Sequence, residues 1–171
     1  RILRRIRKWL KAGVLEDGTW SGTEIGTPQG AVASPLLANI FLHYVLDLWV
    51  NQWRRQNAQG DVIIVRYADD FVLGFQYQGE ANRFLSALKA RMEQFGLALH
   101  PDKTRLIEFG RFAAQNRKKR GERKPETFDF LGFTHMCGVK RLTRGFLIKR
   151  KTVAKRLRAK VQELKQTLMR L

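Results

Sequence analysis

Hydrophobic residues recur at helical spacing early in the chain, at strand spacing in the middle, and at both toward the end. Ile2, Leu3, Ile6, Trp9 and Leu10 share one face of a helix over residues 1–12, with Gly13 as its stop. Residues 14–26 predict a short hairpin around Glu16-Asp17-Gly18, because Asp-Gly favours a tight turn. Gly26-Thr27-Pro28-Gln29-Gly30 breaks any regular element. Ser34 is a good N-cap with Pro35 at the first helical position. Apolar residues at 36, 37, 40, 41, 44, 45, 48 and 49 then predict one long helix.

After Gly60 the texture changes. Residues 62–67 and 71–75 are β-type runs separated by Ala68-Asp69-Asp70, which predicts a tight hairpin with acidic residues at its tip. A helix follows over roughly 80–95, with Phe84, Leu85, Leu88, Met92 and Phe95 on one side. Beyond Gly96 come extended residues, a turn at Pro101-Asp102-Lys103 and a strand over 105–109. Residues 111–126 are basic and poor in apolar residues, which predicts a mobile loop. Strands are expected at 128–136 and 146–148, then a basic helix over 150–170 striped by Val153, Leu157, Val161, Leu164 and Leu168. The order is that of an α+β protein. No phosphate loop and no glycine fingerprint follows a strand, which excludes kinase-like and dinucleotide-binding readings.

Composition narrows the class. With 44% hydrophobic and 11% aromatic residues, the 171-residue chain can build a core and is not a disordered basic tail. No run of eighteen apolar residues occurs, so no membrane span or membrane partner is expected. The single cysteine, Cys137, allows no internal disulfide, and with no signal-like segment after Arg1 the expectation is a processed piece of an intracellular protein. The net charge of +18 points to a polyanion, and its distribution says more than its sum. Residues 1–60 carry net +4, residues 61–110 net −1, residues 111–139 net +4 and residues 140–171 net +11. Acid is concentrated in the middle of a chain that otherwise avoids it.

Adjacent carboxylates at a hairpin tip repel unless a cation compensates them. Mg²⁺ does so with hard oxygen ligands, keeping other positions for water and substrate phosphates. Two such ions clamp the attacking and leaving oxygens in nucleotidyl transfer. Against this stands the ordinary abundance of Asp in solvated turns.

Four motifs tip the balance. Tyr67-Ala68-Asp69-Asp70 between hydrophobic strands resembles the catalytic hairpin of reverse transcriptases. Gly26-Thr27-Pro28-Gln29-Gly30 followed by Ser34-Pro35-Leu36-Leu37-Ala38-Asn39 resembles the loop-helix motif that precedes it. Leu97-Ala98-Leu99-His100-Pro101-Asp102-Lys103-Thr104 is similar to the next motif, and Phe128-Asp129-Phe130-Leu131-Gly132-Phe133 to the primer-grip region. The resemblance is nearest to the group II intron-encoded, maturase-type enzymes and covers nearly the whole chain.

The resemblance implies a polymerase palm over 1–148, with an antiparallel sheet packed on helices, and the start of a thumb helix over 149–171. It implies that Asp69 and Asp70 bind Mg²⁺, or Mn²⁺ in its place, and that Tyr67 lies against the primer end. Pro28, Gln29 and Gly30 correspond to the loop at the template base pair beside the incoming nucleotide. Lys103 corresponds to a lysine that assists protonation of departing pyrophosphate, and Leu131 and Gly132 to the primer-grip turn. Lys149, Arg150, Lys151, Lys155, Arg156 and Arg158 suit the phosphate backbone of a template–primer duplex. The implied partners are an RNA template, a DNA or RNA primer, a deoxynucleotide and intron RNA, in a bacterial cytoplasm. No organic cofactor is implied.

Two departures qualify the expectation. Ala31 stands where the family commonly has a second glycine. The family's third carboxylate lies on a strand upstream of the loop-helix motif, and Glu16, Asp17, Glu24 and Asp47 lack that context. Strand alternation would also send Asp69 and Asp70 to opposite faces. The fingers are absent too, so the expectation is a fragment that does not polymerise by itself. The alternative is a non-catalytic RNA-binding scaffold that assists splicing.

Other candidates are weaker. His43, His100 and His135 lack zinc-ligand spacing, and His43 on an apolar helix predicts a packed histidine. Cys137 has no neighbouring base. Trp9 and Trp49 fall on core stripes, whereas Trp20 beside a turn is expected to be exposed.

Overall fold

Residues 2–10, 14–16, 19–21 and 34–169 are described by the computed structural model of the chain. Contacts divide it into two compact units, Arg1–Leu99 and His100–Leu171. The loop bearing Pro28, Gln29, Gly30 and Ala31 lies outside the described residues, as do the acids Asp17 and Glu24 and the Trp9 and Trp20 side chains.

The first unit opens with helix α1 (Ile2–Leu10) and the antiparallel strands β1 (Val14–Glu16) and β2 (Thr19–Ser21), with Glu16 opposite Thr19 as the Asp-Gly turn predicts. The long helix expected from Ser34 is interrupted. It runs as α2 (Ser34–Leu42), a π turn (His43–Asp47) and α3 (Leu48–Asn57). The wider i→i+5 turn rotates each residue by less than an α-helix does, so the apolar stripe changes phase. Leu36, Ile40, Phe41, Tyr44 and Leu48 are exposed, while Val45, Leu46, Val50 and Trp53 are buried. His43 is not packed as its apolar neighbours suggested; its side chain is 52% exposed.

Strands β3 (Val62–Tyr67) and β4 (Asp70–Phe75) pair antiparallel, and helix α4 (Gln78–Gln94) follows. The core joins Val45, Leu46, Val50 and Trp53 to Val62 and to Phe84, Leu88 and Met92 of α4. Phe84 is its centre, with ring centroids of Trp53, Phe75 and Trp49 at 4.9, 5.1 and 5.4 Å. The helix ends in a Schellman cap. Gly96 at φ 67° donates to the Glu93 carbonyl and Leu97 to that of Met92, and Leu97 packs against the core. At the other end, buried Glu80 accepts from the Gln59 and Gly60 amides at 2.7 and 3.3 Å and ties the α3–β3 connection to α4.

In the second unit the strand expected over 105–109 is not a strand. The segment joins no ladder and is fixed by side chains, with Phe109 against Phe128 at 5.1 Å. The basic stretch expected to be mobile contains a helix, α5 (Ala113–Lys119). Glu108, Glu122 and Glu126 pair with Arg117 and Arg120 around it, so scattered acids neutralise enough charge to let the segment fold. Strands β5 (Phe128–Phe130), β6 (Phe133–Val139) and β7 (Phe146–Thr152) form an antiparallel sheet in that order. Helix α6 (Ala154–Leu168) is shorter than expected because β7 stays paired with β6 through Thr152. Arg150 and Lys151 therefore lie on a strand, not in the helix. The apolar stripe Leu157, Val161, Leu164 and Leu168 of α6 is exposed.

Candidate active site

The acidic hairpin is tighter than the sequence suggested. Tyr67 pairs directly with Asp70, which leaves a two-residue loop, Ala68-Asp69. Asp69 therefore sits in the turn and Asp70 opens β4, so strand alternation does not set their relative directions. Ala68 has φ 53°. Two-residue hairpin loops favour positive φ at their first residue because it matches strand twist. For a residue with a Cβ this left-handed backbone costs about 1–2 kcal/mol.

The two faces of the hairpin differ. Val62, Ile64 and Arg66 share one face with Phe75, Leu73 and Phe71, the face that packs on the core. Ile63, Val65 and Tyr67 share the other and are exposed. Cross-strand partners lie on one face, which puts Tyr67 and Asp70 side by side on the open side.

Arg66 is a charge on the packed face, and it is fully engaged. Its Nε and Nη2 donate to Asp47 Oδ1 and Oδ2 at 2.8 and 2.7 Å, a bidentate pair. Its Nη1 donates to Asn39 Oδ1 and to the Ala68 carbonyl, each at 2.8 Å. Asn39 in turn donates through Nδ2 to the Pro35 carbonyl at 3.0 Å. The side chains of Arg66 and Asp47 are 14% and 26% exposed, so water screens this pair only partly. The hydrogen bond from Arg66 holds the Asp47 carboxyl below the usual carboxylate range; burial opposes it, and Arg66 charge and His43 assist. Asp47 in turn raises the Arg66 pKa.

No hydrogen bond or ion pair engages the Asp69 and Asp70 side chains among the described residues, and both are exposed. Two free carboxylates suit Mg²⁺, which takes one or two and fills its shell with water and nucleotide phosphates. No group of three or more His, Cys, Asp or Glu side chains able to hold a metal occurs among the described residues.

The remaining expected site residues among those described fall in the second unit. Lys103 is exposed on the turn after His100, whose carbonyl accepts from the Lys103 and Thr104 amides. Leu131 and Gly132, at φ 50° and 81°, form the two-residue turn joining β5 to β6. Arg156 lies over Gly132, where an added Cβ would come within 2.7 Å of its Nη1. The Val153 amide donates to the Gly132 carbonyl at 3.0 Å, fixing the start of α6 to that turn. Lys149 and Lys151 project on one face of β7 and Arg150 on the other, so the three are not one patch.

Arg66, Asp47 and Asn39 were not among the expected site residues. A signal was present: Arg66 shares the parity of Val62 and Ile64, and an inward charge on an apolar strand requires a partner. What the spacing could not give was the partner, because the π turn moved Asp47.

Comparison with known proteins now bears on this geometry. Residues 2–135 match the family model described as reverse transcriptase (RNA-dependent DNA polymerase). The group II intron-encoded protein LtrA of Lactococcus lactis subsp. cremoris is 57% identical over 47 residues, 28% of this chain and 8% of that protein. An uncharacterized 91 kDa protein in the cob intron of Schizosaccharomyces pombe is 49% identical over 43 residues, 25% of this chain and 5% of that protein. Protein YkfC of Escherichia coli is 32% identical over 135 aligned positions, 62% of this chain and 35% of that protein. The chain thus matches less than a tenth of the length of the first of these relatives. No described helix is long and apolar enough to cross a membrane. The family match covers most of its length, so the chain belongs to the reverse transcriptase family, and its likeness within that family is to the group II intron-encoded, maturase-type form.

Proposed function

We propose that the chain supplies the palm, over 1–148, and the start of the thumb, over 149–171, of an RNA-directed DNA polymerase of a group II intron-type element. The observation that carries this reading is the pair of free carboxylates, Asp69 and Asp70, at the tip of a tight hairpin whose other face is anchored in the core. A divalent ion bound there supplies charge neutralisation and activation of the primer 3′-hydroxyl in nucleotidyl transfer. Asp69 and Asp70 orient that ion, and Tyr67 beside Asp70 supports the primer terminus. Pro28, Gln29 and Gly30 contact the templating pair, and Lys103 returns a proton to the departing pyrophosphate. Leu131 and Gly132 hold the primer backbone, while Lys149, Arg150, Lys151, Lys155, Arg156 and Arg158 grip phosphates without reading sequence. Template RNA, primer and deoxynucleotide are the substrates, and intron RNA is a further partner.

Two carboxylates hold two ions poorly, so residues 1–171 alone do not extend a primer in this reading. The test joins the chain to the upstream palm segment of a group II-type relative that carries a third carboxylate, and assays extension on an RNA template with Mg²⁺. Extension that Asp69→Ala/Asp70→Ala abolishes supports the enzyme. Tight RNA binding without extension supports the splicing scaffold instead.

A further inference from the structure

The acceptors of Arg66 come from two elements. Asp47 and Asn39 belong to the interrupted helix, and Ala68 is the loop residue just before Asp69. In a regular α-helix, eight residues would carry Asp47 about 80° around the axis from Asn39. The π turn rotates less per residue and returns Asp47 toward the side of Asn39, where both reach one guanidinium.

Ala68 is held in a backbone region that side chains rarely adopt. Such a conformation persists where its surroundings over-determine it. The Arg66 bond to the Ala68 carbonyl provides that constraint, and Arg66 itself is fixed from three sides. A lysine could not replace it, since one ammonium cannot present a planar fork to Asp47 and still reach two further carbonyls.

We propose that Arg66, held by Asp47 and Asn39, is a positioning residue. It fixes the Ala68 turn so that the Asp69 and Asp70 carboxylates are presented together to a divalent cation. The inference rests on the reading that those carboxylates bind the ion.

The test uses Mn²⁺ alone as the probe, with free Mn²⁺ followed by electron paramagnetic resonance in titrations of the full chain. Asp69→Asn/Asp70→Asn defines the binding that belongs to the hairpin. Asn39→Ala, Asp47→Asn and Arg66→Lys should each weaken that binding on the order of 10-fold. Val50→Ala, a core lesion outside the network, should lower the thermal midpoint and leave Mn²⁺ affinity unchanged. Asn39→Ala leaves the ion pair intact and keeps the test decisive if Asp47→Asn fails to fold. Wild-type affinity in Asn39→Ala and Arg66→Lys, with loss in Asp69→Asn/Asp70→Asn, overturns the positioning role and leaves the metal reading standing. The same overturning follows if Val50→Ala weakens Mn²⁺ as much as Asn39→Ala does. Equal binding by wild type and Asp69→Asn/Asp70→Asn overturns the metal reading and the positioning role with it.

Discussion

Arg66 reaches across its own hairpin turn to the carbonyl of Ala68 at 2.8 Å, and the same nitrogen reaches Asn39 on the helix beneath. Through its pair with Asp47, Arg66 also ties the loop carrying the acidic pair to the π turn, whose Val45 and Leu46 lie in the core. Strain at Ala68 and the tether at Arg66 oppose one another, and each can be measured.

Ala68→Gly removes the left-handed penalty of about 1–2 kcal/mol and adds a glycine entropy cost of about 0.5–1 kcal/mol. The net expectation is a small gain in stability in urea unfolding. Ala68→Val, with a branched Cβ at the same φ, should lose stability by more than Ala68→Gly gains.

Asp47→Asn deletes a charge-assisted pair, and stability should fall by about 1.5–3 kcal/mol. The loss should depend on pH. Arg66 depresses the folded-state pKa of Asp47, so the ionised form favours folding. That contribution is complete above the ordinary Asp value of about 3.9 and disappears as pH falls through the lower folded value. Wild type and Asp47→Asn should therefore converge at acid pH, as read by unfolding midpoints across pH. Glu108 and Glu122, lowered by Arg120, add acid sensitivity of the same sign to both chains and cancel in the difference.

Phe84→Ala empties the centre of the aromatic cluster around Trp53, Phe75 and Trp49. A loss of about 3–5 kcal/mol is expected, with a changed tryptophan emission. A loss under 1 kcal/mol would contradict the assignment of this core.

Lys149→Gln/Lys151→Gln removes two cations from one face of β7. If both meet phosphates, the slope of log affinity for a template–primer against log salt should flatten by nearly 2, about 0.9 for each contact. An unchanged slope removes these lysines from the interface.

Much of this was legible in the sequence, for physical reasons that differ by element. The β3–β4 hairpin was legible because period-2 runs bracket a turn, and α4 because Phe84, Leu88 and Met92 keep one face. The π turn was not, since the apolar residues of 34–57 fit a continuous helix and one widened turn leaves no mark in composition. The helix α5 was hidden for a related reason: its pairing acids lie outside it, at Glu108, Glu122 and Glu126. At the candidate site, Tyr67, Asp69 and Asp70 stand out through their motif, whereas Asp47 reads as a stray acid on an apolar stripe. Its partner lies nineteen residues on, across a strand.

The central claim is that Asp69 and Asp70 do chemistry on a primer end. The most direct measurement is incorporation of one deoxynucleotide on an RNA template by the chain joined to a third-carboxylate segment. Asp69→Asn and Asp70→Asn are made singly, and Mg²⁺ is varied. The account predicts Mg²⁺-dependent incorporation that either substitution reduces at least 100-fold, equivalent to about 2.7 kcal/mol of barrier. Incorporation that survives both substitutions would contradict it.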